Sequence, residues 1–167
     1  SVLNSFKDVS QAHWAYEYVE KLHDLQIVNG NADGNFYPDA SVTRAEFAQM
    51  MKKAMGLERT EEVSFTDVNS DDWYYDAVVC LAGTGLIKGY EDNSFKPNDK
   101  ITREDMAVIL FRAISYIGNE WSDGNSVNFT DKEMVSEYAV EAVERISNLG
   151  LLNGFPDGSF GPFLPAA

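Results

Sequence analysis

Three stretches of this chain carry the same landmarks at the same spacing, and that repetition limits the fold more than any other feature. They are FKDVSQAHWAYEYVEKLHDLQIVNGNADGNFYPDASVT, FTDVNSDDWYYDAVVCLAGTGLIKGYEDNSFKPNDKIT and FTDKEMVSEYAVEAVERISNLGLLNGFPDGSFGPFLPAA. An aromatic at Trp14, Trp73 or Tyr138 precedes a glycine at Gly30, Gly89 or Gly154 by sixteen residues each time. Six residues after the glycine stand Phe36, Phe95 and Phe160, and two further on Pro38, Pro97 and Pro162. One such unit is too small to bury its own apolar face, so neighbouring units must pack together. We expect a single domain built from units at residues 1–57, 58–118 and 119–167.

Each unit reads as helix, loop, helix, which makes the chain all-α. In the first helix Trp14, Tyr18, Val19, Leu22 and Leu25 recur at helical spacing and predict one buried stripe. Trp73, Ala77, Val78 and Leu81 repeat it, as do Tyr138, Ala142, Val143 and Ile146. Gly85 and Gly150 suit the left-handed position that ends a helix, whereas Gln26 holds that place in the first unit, so that helix end must differ or be strained. Asp33-Gly34, Asp92-Asn93 and Asp157-Gly158 mark a tight turn. Thr43 with Glu46 has the form of a capping box opening the second helix, and Thr102 with Asp105 is a shorter version. Behind these caps, Phe47, Ala48, Met51 and Met55 form a core-facing stripe, as do Met106, Ala107, Leu110 and Ile114. The links at 56–64 and 118–128 are short and polar.

Charge narrows the partners. Twenty-seven acidic and thirteen basic side chains give a net charge of −14, which repels nucleic acid and anionic membrane at long range. An anionic polymer must then be held by local cations. No run approaches the roughly twenty apolar residues of a membrane span, and the opening SVLNSFKDVS lacks the basic start and apolar core of a signal peptide. Cys80, the single cysteine, lies in an apolar run and reads as a buried small hydrophobe.

The candidate site comes from an unfavourable choice made twice. Arg44 and Arg103 each follow the capping threonine, where the positive end of the helix dipole disfavours a cation. A helix N-terminus offers unpaired amides, and an arginine beside it adds a planar fork matched to a carboxylate or phosphate. Trp14 and Trp73 in register with it offer flat apolar faces, and Gly30 and Gly89 a close backbone approach, which together suit an acidic sugar. Each tryptophan has a core role as its competing reading.

Metal and catalytic readings find less. NGNADGN places Asn29, Asn31 and Asp33 at alternating positions, as in a calcium loop, but Ala40 stands where the twelfth-position glutamate belongs. His13 and His23 have no counterparts in the other units and belong to no nucleophile or metal pattern. We therefore expect no cofactor, no metal and no catalysis.

The combination of F-x-D-V before HWA or DDW, the G-x-x-D-G-x-F-x-P loop, and TRAE at 43–46 resembles the S-layer homology (SLH) domain family. TRED at 102–105 departs from that motif, and the third unit stops at Ala167, before a second helix and its arginine. The resemblance implies three modules in a pseudo-threefold arrangement with grooves between them. It implies a non-catalytic anchor that is secreted and sits at the bacterial cell surface, in the cell wall or S-layer. The partner it implies is a secondary cell wall polysaccharide, in many cases carrying pyruvylated N-acetylmannosamine. Arg44 and Arg103 would bind the pyruvate carboxylate, with Trp14, Trp73, Gly30 and Gly89 lining the grooves. Two rival readings are a module that docks protein partners or other S-layer copies, and a calcium-dependent module of the dockerin kind.

Overall fold

A computed structural model describes residues 4–59, 61–118, 121 and 127–167. Most of the predicted link at 118–128 therefore lies outside the described residues. Among the described residues there are five α-helices: α1 (Tyr16–Asp24), α2 (Arg44–Met55), α3 (Tyr75–Gly83), α4 (Arg103–Tyr116) and α5 (Val140–Asn148). Short 3-10 turns at Lys132–Met134 and Glu137–Ala139 precede α5. Among the described residues there is no strand, only isolated bridges pairing Thr43 with Lys100 and Thr102 with Pro165.

The ends of these helices follow from their residues. The Glu46 N–H donates to the Thr43 hydroxyl and the Thr43 N–H to the Glu46 carboxylate, which completes the predicted capping box on α2. On α4 only the first half forms, from the Asp105 N–H to the Thr102 hydroxyl, because the shorter aspartate is engaged elsewhere. Gly85 and Gly150 are left-handed, and Gln26 adopts the same conformation at φ 60°, so of the two alternatives the first unit takes the strained one.

The loops are held by the F-x-D motif. Asp67 accepts the N–H groups of Phe95 and Lys96 at 2.8 and 2.7 Å, and Asp8 and Asp131 grip the corresponding amides of their own units. The motif's phenylalanine lies against the loop glycine: a Cβ at Gly89 would stand 2.5 Å from the Phe65 ring. A Cβ at Gly30 would meet Phe6 at 2.2 Å and one at Gly154 would meet Phe129 at 2.7 Å. These glycines are required by packing within the unit.

Helices do not pair within their own unit. α2 packs on α3 and α4 on α5, so the second helix of one unit covers the first helix of the next. The principal core joins Phe47, Ala48 and Met51 to Val78, Cys80 and Leu81, and a second joins Ala107 and Val108 to Ala142, Val143 and Ile146. Cys80 is fully buried, as expected.

That exchange corrects the reading of the first-helix stripe. Trp14 and Trp73 stand just before their helices and are 76% and 63% exposed, so neither is a core residue. In α3 and α5 the positions of Ala77 and Ala142 are buried beneath the preceding second helix. No described helix precedes α1, and there the matching Tyr18 is 68% exposed and Leu25 is exposed too. Helical spacing located the stripe and not the element that covers it.

A small ring ties the units together. The Ile101 N–H donates to the Val42 carbonyl, the Ala166 N–H to the Ile101 carbonyl, and the Val42 N–H to the Ala166 carbonyl, each at 2.9 Å. These residues occupy one register position, twelve after the loop glycine of each unit.

Candidate functional site

The expectation of unpaired amides at the helix mouths is not met. The Arg44 and Ala45 N–H groups donate to the carbonyls of Asp99 and Pro97 in the next unit's loop, at 2.8 and 3.0 Å. Those of Arg103 and Glu104 donate in the same way to Leu164 and Pro162. Each helix start is plugged into its neighbour, so the dipole end is satisfied by carbonyl oxygens.

The arginine side chains follow the same route. Arg44 is 8% exposed, and its Nε donates to the Phe95 carbonyl at 2.9 Å and its Nη2 to the Lys88 carbonyl at 3.4 Å. Its Nη1 pairs with Asp105 Oδ2 at 3.3 Å, and the guanidinium carbon lies 5.0 and 4.8 Å from the Tyr90 and Phe95 ring centres. Arg103 repeats the design in the third unit, with Nε on the Phe160 carbonyl at 2.8 Å and Nη2 on the Asn153 carbonyl. Its guanidinium lies over Phe155 and Phe160, and burial lowers its pKa from the usual arginine value. No carboxylate pairs with it among the described residues. This explains why a cation opens both helices: it staples one unit to the next, with carbonyls, rings and one carboxylate offsetting the unfavourable dipole.

Beside Arg44 lies a cavity of about 720 Å³, a size suited to a small ligand. Ile87 and Tyr90 line it from the loop, Val108 and Ile109 from α4, and Tyr138 from the third unit, so three units contribute to one groove. Gly89 is in the wall, whereas Trp14, Trp73 and Gly30 are not. In the third unit it is Tyr138, the register counterpart of the tryptophans, that reaches this groove.

The groove contains residues that the repeat alignment passed over. TRED differs from TRAE at two positions, and both face Tyr138, whose hydroxyl lies 2.6 Å from Asp105 Oδ1 and 3.1 Å from Glu104 Oε1. Having a single proton, it donates to the nearer oxygen. Glu104 is buried and accepts the Ser136 N–H and hydroxyl at 2.9 and 2.7 Å. Arg112 and Lys88 add two further cations, and Glu91 and Asp92 two acids. The departure from the motif was visible in the sequence, but its contact with Tyr138 was not, since 33 residues separate Tyr138 from Asp105.

Tyr138 also sets an expectation for alkaline pH. Burial of its hydroxyl, then its bond to Asp105, push the phenol well above its ordinary value of 10.0. The unfolded chain therefore releases this proton first, and the stabilisation is intact below pH 10 and declines above it. Tyr138→Phe should flatten the fall in urea midpoint between pH 9 and pH 11. An unchanged slope would show that the hydroxyl is not linked to folding.

The family model for the S-layer homology domain matches residues 5–48, 64–107 and 128–166. An endoglucanase from a Bacillus species is 33% identical over 159 residues, 94% of this chain and 17% of that protein. The surface-layer 125 kDa protein of Lysinibacillus sphaericus is 34% identical over 152 residues, 91% of this chain and 12% of its own length. The middle cell wall protein of Brevibacillus brevis is 35% identical over 103 residues, 59% of this chain and 10% of that protein. The chain thus spans less than a fifth of each of these relatives.

Proposed function

Because this chain belongs to the S-layer homology domain family, we propose that it anchors at the cell surface by binding an anionic secondary cell wall polysaccharide. Domains of this family are non-catalytic anchoring modules, and relatives of this chain carry surface-layer and cell-wall names. The enzyme-named relative matches over only 17% of its length, so no glycosidase activity comes with the match.

The observation that carries the reading is the Arg44 groove, where cations, apolar walls and an aromatic ring share one cavity. Three N–H groups of Arg44 are committed internally and two are left to meet a ligand, since a guanidinium has five. The ligand class we infer is a pyruvylated N-acetylmannosamine, whose carboxylate suits an arginine fork and whose ring suits Val108, Ile109 and Tyr90. Arg103, with its carbonyl contacts and no paired carboxylate among the described residues, is proposed as the centre of a second groove. Trp14, Trp73 and Gly30 are proposed as outlying contacts, the exposed rings being available to stack on sugars. The hydrogen-bonded ring of Val42, Ile101 and Ala166 supports the pseudo-threefold arrangement.

Titration calorimetry with pyruvylated N-acetylmannosamine and with the same sugar lacking pyruvate tests this. The acidic sugar should bind at least about tenfold tighter, the value of one charge-assisted contact. Arg44→Lys with Arg103→Lys keeps both charges while removing the forks, and it should weaken that preference. Cell-wall pull-down that persists unchanged in the double variant, with no sugar binding, would favour a protein-docking module instead.

A further inference from the structure

Arg112 is the less committed of the two guanidiniums in the Arg44 groove. It stands seven residues after Asp105 on α4, two helical turns along the same face, with Val108 and Ile109 between them on the cavity wall. Its single hydrogen bond runs from Nη1 to the Leu86 carbonyl at a long 3.4 Å, and no carboxylate lies within ion-pair distance among the described residues. Burial lowers its pKa from the usual arginine value, with the nearby Asp105 and Tyr138 pulling the other way by less. Arg44, by contrast, holds Phe95, Lys88 and Asp105 and is sandwiched by two rings.

From this contrast we propose that Arg112 supplies a second charged contact to the acidic group of the bound sugar, beside the two free N–H groups of Arg44. The assignment rests on the Arg44 groove being the glycan site. Two features of the cavity favour a single carboxylate over a more highly charged group. Asp105 stands between the two guanidiniums and already neutralises one of them, and Glu91 and Asp92 line the same wall. A carboxylate entering the groove meets a fork with four unused N–H donors at Arg112 and the exposed ammonium of Lys88. Asp105 then acts as a built-in competitor that sets how strongly an anion is held.

Calorimetry on the full chain with pyruvylated N-acetylmannosamine, and with the unpyruvylated sugar as control, decides the matter. Arg112→Gln should weaken the acidic sugar by roughly 10- to 100-fold and leave the neutral sugar within about twofold, since only the charged contact is lost. Arg112→Met, which keeps the apolar stem, should behave alike, and the urea midpoints of both variants establish that they are folded. Asp105→Asn, which still accepts from Tyr138, should tighten binding of the acidic sugar several-fold. Wild-type preference for the pyruvylated sugar that survives in a folded Arg112→Gln variant would overturn this assignment and leave the proposed function standing. An equal loss for both sugars would also overturn it, by showing a structural role. If the wild-type chain bound neither sugar, the proposed function would fail and this assignment with it.

Discussion

Arg44→Ala is expected to lower the unfolding free energy by about 3–5 kcal/mol, the cost of breaking a largely buried ion pair from one side. The substitution leaves the Phe95 and Lys88 carbonyls without their donor, and Asp105 without its cation. It also empties the space between Tyr90 and Phe95. An exposed arginine would cost a few tenths of that. Arg103→Ala removes two carbonyl contacts and, among the described residues, no ion pair, and about 2 kcal/mol is expected from it. Urea denaturation followed by circular dichroism checks both. A loss below about 1 kcal/mol for Arg44→Ala would show that the staple between units contributes little.

Phe95→Ala is expected to cost about 4 kcal/mol, in the range for truncating a buried phenylalanine. Phe95 is 1% exposed, lies in the principal core and packs on Phe65, and its ring is the floor beneath the Arg44 guanidinium. Since the two residues share that contact, the double variant with Arg44→Ala should cost less than the sum by about 1 kcal/mol. Strict additivity would mean that the ring and the guanidinium are energetically independent. Losses of this size approach the whole stability of a small domain, so destabilised variants should be measured in an osmolyte such as sucrose.

Much of this architecture could be read from local chemistry. The capping box at Thr43 and Glu46, the turn at Asp92-Asn93 and the Met51 core stripe depend on residues close in sequence, and they formed as read. That the helix end at Gln26 must differ or be strained was legible for the same reason: a side chain stood where two other units have glycine. What the pattern could not supply was the identity of packing partners. Tyr18 has the spacing of a buried residue and is exposed, because burial there depends on a helix from a neighbouring unit. Arg44 and Arg103 do open α2 and α4, but the amides beside them are satisfied by Pro97, Asp99, Pro162 and Leu164. Arg112 was passed over although its counterpart in the first unit, Lys53, is also a cation; Lys53 lines a different cavity, so the register alone did not tie Arg112 to this groove.

The ring of Val42, Ile101 and Ala166 has a mechanical consequence for a chain that holds on to a surface. Ala166 is bonded directly to Val42 and to Ile101. A pull on any one of the three is therefore shared with each of the other two across a single hydrogen bond. Arg44 and Arg103 follow Val42 and Ile101 by two residues, so a pull on the Arg44 groove reaches this clasp almost at once and is spread over all three units.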